Sequence, residues 1–235
     1  APAVATITPA SAVVTAASGS GSFAIATNPP AAAWTATSDA AWLTVPANGT
    51  ATTLRYQFTA NTTSQARTAT VSVGNAKFVL TQNAPTYTLT PATTQLAAVA
   101  GAGTLTVTSS PAGASWVATS NASWLTITNP NGTGASVAYS YLANATGLAR
   151  SATVTVGNAK AVLTQQPASF VLSPATVNIA AAAGTASVNV QSTPAGATWQ
   201  ATSSASWLQV AASGSGTQIP FSFAANLTGL SRSAT

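Results

Sequence analysis

Apolar residues in this chain come in short runs that alternate with small or polar ones. Leu105 and Val107 stand among Thr104, Thr106 and Thr108, and Val137, Tyr139 and Tyr141 alternate with Ala138 and Ser140. A period of two sends successive side chains to opposite faces of a strand, so each run has one apolar face and one small or polar face. Leu54, Tyr56 and Phe58 read the same way, as do Ile219, Phe221 and Phe223. Gly, Pro and Asn bound the runs, and no helical window persists. In the middle of the chain the pattern predicts eight strands, at residues 87–90, 94–98, 104–109, 116–119, 124–128, 135–143, 151–156 and 160–165. Strands of this length at roughly ten-residue spacing predict two sheets packed face to face.

The same text is written nearly three times. Trp34-Thr35-Ala36-Thr37-Ser38 with Trp42-Leu43-Thr44-Val45 returns as Trp116-Val117-Ala118-Thr119-Ser120 with Trp124-Leu125-Thr126-Ile127. It returns again as Trp199-Gln200-Ala201-Thr202-Ser203 with Trp207-Leu208-Gln209-Val210, at intervals of 82 and 83 residues. Pro9, Pro91 and Pro174 keep this beat, as do Asn61, Asn144 and Asn226, and Arg67, Arg150 and Arg232. The period exceeds the roughly 20–50 residues of a solenoid repeat and suits a self-contained small domain. The expected modules span 1–83, 84–166 and 167–235, joined at Asn83-Ala84-Pro85 and Gln166-Pro167-Ala168. Such short, proline-containing linkers predict a semi-rigid relation between neighbours. Thr235 matches Thr153, so the third copy lacks the counterpart of residues 154–165, its last two predicted strands.

Composition narrows the chemistry. The chain holds six basic residues, one acid, no His and no Cys. General acid–base catalysis calls for a His or a tuned carboxylate, and nucleophilic catalysis for a base beside the nucleophile; Asp39 alone supplies neither pair, so the chain is read as no enzyme. Zinc and calcium sites need several Cys, His or acidic ligands, and no metal or other cofactor is expected. The bases are scattered singly, without the cluster that tracks phosphates, so no nucleic-acid partner is expected. The most apolar stretch, 177–190, is mostly Ala interrupted by Asn, Gly, Ser and Thr, and no membrane insertion is expected. Without cysteine, the disulfide-linked antibody type of sandwich is excluded.

The succession Trp-x-Ala-Thr-Ser, Trp-Leu-x-Val/Ile, an Asn six residues before an Arg, and a closing Val-Leu-Thr-Gln resembles BACON-type modules, copy by copy over essentially the whole chain. The resemblance implies immunoglobulin-like β-sandwiches of bacterial surface, secreted or phage proteins, and the family name proposes carbohydrate binding. The fold class expected is all-β: tandem immunoglobulin-like antiparallel β-sandwiches, about eight strands per complete module.

Of sixteen aromatics, fourteen occupy repeat-equivalent positions, and only Phe23 and Phe78 lack counterparts. Core packing is the reading taken for them, since one large aromatic buries about 150–250 Å². The alternative, a sugar-stacking platform once per module, makes Trp34, Trp116, Trp199, Trp42, Trp124 and Trp207 the candidate ligand-binding residues. Arg67, Arg150 and Arg232 stand beside Asn-containing turns and are read as ties to loop carbonyls. Lys77 and Lys160 follow a Gly-Asn-Ala turn and are read as edge charges that discourage sheet-to-sheet pairing. Six Asn-x-Ser/Thr sequons occur, at Asn48, Asn61, Asn121, Asn131, Asn144 and Asn226. Near-identical copies and minimal linkers point to an extracellular or cell-surface fibre, stalk or adhesin with stiff modules. Its partners would be copies of itself or further modules of the same chain, with head-to-tail strand completion of the third module. A carbohydrate-binding array with a polysaccharide partner is the alternative.

Overall fold

The computed structural model describes residues 4–235, and all of its regular structure is strand. The first module runs through β1 (Val4–Thr8), β2 (Ser11–Val14), β3 (Gly19–Asn28), β4 (Trp34–Ser38), β5 (Leu43–Thr44), β6 (Asn48–Gly49), β7 (Thr53–Phe58), β8 (Arg67–Val73) and β9 (Ala76–Gln82). One sheet has the order β1-β3-β7-β5, and the other β2-β9-β8-β4-β6. The second module repeats both sheets with β10 (Thr86–Thr90), β11 (Thr93–Leu96), β12 (Gly101–Ser110), β13 (Trp116–Ser120), β14 (Leu125–Ile127), β15 (Asn131–Gly132), β16 (Ser136–Tyr141), β17 (Arg150–Val156) and β18 (Ala159–Gln165).

Two details depart from the sequence reading. Each complete module has nine strands, because the two-residue β6 and β15 pair with the start of the first-Trp strand, placing Gly49 opposite Trp34 and Gly132 opposite Trp116. So short a pairing carries no alternation for a pattern to reveal. The sandwiches are also not wholly antiparallel: β2 runs parallel to β9, and β11 parallel to β18. The chain crosses from one sheet to the other between β1 and β2, at Pro9, where proline offers no N–H to continue a ladder.

The third module has β19 (Ser169–Ser173), β20 (Gly184–Thr193), β21 (Trp199–Gln200), β22 (Leu208–Val210), β23 (Ser213–Gly214) and β24 (Gln218–Phe223). Its first sheet, β19-β20-β24-β22, matches the other copies, and its second is the pair β21-β23. The expected strand near its Val177 does not form, since its parallel partner would be the counterpart of β9.

Each complete module closes its own core. In the first, Phe23 and Phe78, the two aromatics without counterparts, stack on each other with centroids 4.5 Å apart, while Ala5 occupies the inward position on β1. In the second, Leu105 and Ala161 replace that pair, and the aromatic bulk moves to Tyr87, the counterpart of Ala5. Tyr87 donates its phenol hydrogen to Ser115 O at 2.5 Å, which lets its polar tip be buried. The cores thus differ in which positions carry the rings while the backbone course is retained.

Glycines on β3 and β12 face the aromatics of β7 and β16. Gly21 pairs with Tyr56, Gly19 with Phe58, Gly103 with Tyr139 and Gly101 with Tyr141. The rings lie across the neighbouring strand: a Cβ at Gly103 would stand 2.5 Å from the Tyr139 hydroxyl oxygen. Ring-over-glycine contacts cover backbone that the missing side chain would leave bare. Lys77 and Lys160 are exposed on the ends of β9 and β18 that β2 and β11 do not reach, as the edge-charge reading expects.

Candidate functional site

The six tryptophans divide into two sets. Trp34, Trp116 and Trp199 are buried, at 6, 3 and 5 % exposure. Their indole N–H groups donate to Ala51 O at 2.9 Å, Gly134 O at 2.8 Å and Gly216 O at 3.0 Å. Each ring lies against the glycine of the two-residue strand: a Cβ at Gly49, Gly132 or Gly214 would come within 2.7, 2.6 and 2.5 Å of the ring.

Trp42, Trp124 and Trp207 are half-buried, and each carries a guanidinium on one face. Arg67, Arg150 and Arg232 lie 4.4, 4.6 and 4.2 Å from the respective ring centroids. Such stacking is a cation–π contact, in which the ring's negative face attracts the cation. Folding therefore brings together the second Trp and the Arg of every copy, and leaves the first Trp elsewhere, in the core.

The arginine is the centre of a clamp at one end of the sandwich. Arg67 Nη2 donates to Thr59 O at 2.8 Å and Ala60 O at 3.0 Å, and its Nε donates to Gln82 Oε1 at 2.9 Å. Gln82 is fully buried, and its Nε2 donates to Ala16 O, Ala17 O and Thr59 O, each at 3.1 Å. The second module repeats the set, with Arg150 donating to Leu142 O, Ala143 O and Gln165 Oε1, and Gln165 to Ala97 O, Ala98 O and Leu142 O. Partial burial lowers the pKa of Arg67 and Arg150 from the usual guanidinium value. In the third module Arg232 donates to Ala224 O. The glutamine escaped the sequence reading as a partner of the arginine. Its signal was present: Gln82 and Gln165 both lie fifteen residues after the clamp Arg.

Asn61 completes the clamp and is wholly buried. Its Nδ2 donates to Gln65 O at 2.7 Å and to Asn83 O, in the linker, at 2.9 Å. Its Oδ1 accepts from Thr63 N at 3.2 Å and Thr63 Oγ1 at 2.6 Å. Asn144 is equally buried and bonds Leu148 O, Gln166 O, Thr146 N and Thr146 Oγ1 in the same way. Asn226 repeats the bonds to Leu230 O, Thr228 N and Thr228 Oγ1 in the third module. Three sequons thus spend their amide and hydroxyl on closing a loop, whereas Asn48, Asn121 and Asn131 are exposed.

The one acid is structural too. Asp39 Oδ1 accepts from Thr70 N at 2.8 Å, where Asn121 Oδ1 accepts from Thr153 N at 2.7 Å and Ser204 Oγ from Thr235 N at 2.9 Å. A neutral amide and a hydroxyl do the same work, so negative charge is not what this position requires. Among the described residues, no three His, Cys, Asp or Glu side chains gather, and no helix is long and apolar enough to cross a membrane.

The model of one family, described as the Viral BACON domain, matches residues 4–85, 86–173 and 162–235. The chain belongs to this family. Its BACON modules hold no cysteine and gather no metal-binding cluster among the described residues. No curated protein matches the chain. Among solved structures, a tandem from titin is similar at 10 % identity and TM-score 0.35, over 96 % of this chain and 91 % of that one. The Yersinia pseudotuberculosis adhesin InvE is similar at 10 % identity and TM-score 0.36, over 69 % of this chain and 58 % of that one. A Bacteroides ovatus xyloglucanase in complex with a heptasaccharide shares 22 % identity at TM-score 0.31, over 35 % of this chain and 19 % of the enzyme. At such scores these neighbours assign the BACON array neither ligand nor activity.

Proposed function

We propose that the chain is a segment of an extracellular or cell-surface structural protein of bacterial or phage type, a fibre, stalk or adhesin. Its modules, over residues 1–83, 84–166 and 167–235, act as stiff spacers. The observation that carries this reading is the clamp: the buried amides of Asn61 and Asn144 hold the linker carbonyls of Asn83 and Gln166 at 2.9 Å each. The chain leaves each complete sandwich pinned to it. Its conspicuous side chains serve the same end. Three tryptophans fill cores, three support arginines, and the arginines, glutamines and asparagines hold backbone carbonyls.

The finer reading is that the third module receives two further strands, from later sequence or head to tail from another copy. Phe170 and Leu172 are 37 and 47 % exposed there, against 4 and 6 % for their counterparts Tyr87 and Leu89. Covering such a face by strand addition removes apolar area from water and pairs an open edge.

Electron microscopy of the native assembly tests the proposal. A continuous row of beads at the module spacing is expected, and compact particles without such a row would refute it. Tryptophan fluorescence titrated with plant, bacterial and host polysaccharides is expected to stay flat, and saturable quenching would favour a ligand-binding array. A stable monomer of residues 1–235 with a protected third module would exclude strand exchange between copies.

A further inference from the structure

Two contacts between successive modules are the same contact. Thr62 O accepts from Ser115 N at 2.9 Å and from Ser115 Oγ at 3.1 Å. One repeat later, Ala145 O accepts from Thr198 N at 3.2 Å. Thr62 and Ala145 are the middle residues of the Asn-x-Thr segment, and Ser115 and Thr198 immediately precede the buried Trp116 and Trp199. We propose that the loop opened by the buried Asn is a docking surface for the turn before the first Trp of the following module, so that each Asn sets the angle between two sandwiches. This rests on the spacer reading and names its partner surface: the 110–115 or 193–198 turn of the next module.

The geometry explains how a small contact suffices. Asn61 Oδ1 turns the chain back through Thr63 N and Oγ1, which leaves the Thr62 carbonyl directed away from its own sandwich toward Ser115. The same Asn61 holds Asn83 O, and Asn83 N donates to Val14 O at 2.9 Å, so the loop and the departing linker belong to one rigid unit. At the second joint Gln166 N donates to Leu96 O at 2.9 Å, and Ala168 N adds a bond to Thr146 O at 2.8 Å. One or two hydrogen bonds would not hold separate molecules, but a short tether keeps the second surface at an effective concentration of about millimolar or above. The cleft beside the first joint is bounded by Ser64 of one module and Ser115, Val117, Asn131 and Thr133 of the next, uncharged groups that impose no repulsion between the two. The equivalent positions recur as Ala33 before Trp34 and Leu227 after Asn226.

The chain has no cysteine, so spin labels at Thr6→Cys and Thr126→Cys report the distance between modules one and two in the full chain. A single narrow distance distribution is expected. Asn61→Ala is expected to broaden it roughly twofold, toward the spread of a free short linker, and Ser115→Ala to broaden it less. Pro85→Gly, which loosens the linker and leaves the docking contact in place, is expected to leave the distribution narrow. This last variant keeps the test decisive if Asn61→Ala unfolds the first module. A broad distribution in Pro85→Gly, or a narrow one in a folded Asn61→Ala, would show that proline stiffness alone sets the angle and overturn the docking role while the spacer reading stands. A broad distribution in the unaltered chain would instead remove the spacer reading itself.

Discussion

Arg67 Nε meets Gln82 Oε1 at 2.9 Å while Gln82 is fully buried, so the arginine's orientation depends on a side chain that solvent does not reach. Gln82 also satisfies three carbonyls, one of which, Thr59 O, it shares with Arg67. Replacing it with Ala strips a buried acceptor and two donors at once. Gln82→Ala is expected to destabilise the first module by about 2–3 kcal/mol, since each unsatisfied buried group costs about 1–3 kcal/mol. Hydrogen exchange resolved by module is the measurement, because a tandem array does not melt as one two-state unit. Unchanged protection in the first module would refute the clamp's importance.

Gly49 and Gly132 are needed because an indole lies where their side chains would be. Gly49→Ala or Gly132→Ala is expected to displace the Trp34 or Trp116 ring and cost about 1–3 kcal/mol, the range for overpacking a filled core. Gly134→Ala meets nothing within 4 Å and serves as the matched control. A shift in tryptophan emission should accompany the first two substitutions and not the third.

The two complete cores hold their rings at different positions. Phe78→Ala is expected to cost about 3–5 kcal/mol in the first module, as for other buried Phe truncations. Ala161→Phe alone should destabilise the second module by overpacking. Combining it with Leu105→Phe and Tyr87→Ala rebuilds the first module's arrangement and should recover part of that loss. Full additivity of the three effects would show that the rings do not compete for one core volume.

Ala31 sits at φ 58°, whereas Gly113 and Gly196 fill the same place in the equivalent turns at 72° and 75°. An alanine Cβ is disfavoured in the left-handed region by roughly 1 kcal/mol. Ala31→Gly is therefore expected to stabilise the first module by about 0.5 kcal/mol, the gain being reduced by glycine's freedom in the unfolded chain. A loss of stability would refute this account of the turn.

With one Asp and no Glu or His, few side chains titrate on acidification. Burial raises the phenol pKa of Tyr56, Tyr87 and Tyr139, and for Tyr139 the neighbouring Tyr141 adds to the effect. The folded state then binds these protons more tightly than the unfolded chain, so their contribution is complete below the unfolded value and lost as pH rises through the folded values. The melting transition of each complete module should stay flat from about pH 5 to about pH 9 and move to lower temperature above about pH 10, the ordinary tyrosine value. Asp39→Asn should leave it nearly unchanged, because Asn121 makes the same bond to Thr153 N; a shift of several degrees would show that the charge matters.

The sequence by itself determined the all-β class, the three copies and eight of the nine strands of a complete copy, because alternation, turn residues and an interval of 82 to 83 residues are properties of neighbouring letters and of comparison between copies. It also marked the recurring Asn, Arg and Trp of each copy. Tertiary structure alone decided what they touch. Which Trp enters the core and which lies under a guanidinium depends on how the two sheets stack. That Gln82 reaches Ala16 O across 66 residues, or that Asn61 closes on the linker 22 residues on, follows from strand register and the crossing between sheets. The parallel pairing of β2 with β9 and the two-residue β6 have the same origin. Local pattern states that a strand forms, whereas its neighbour is selected by the packing of the whole sandwich.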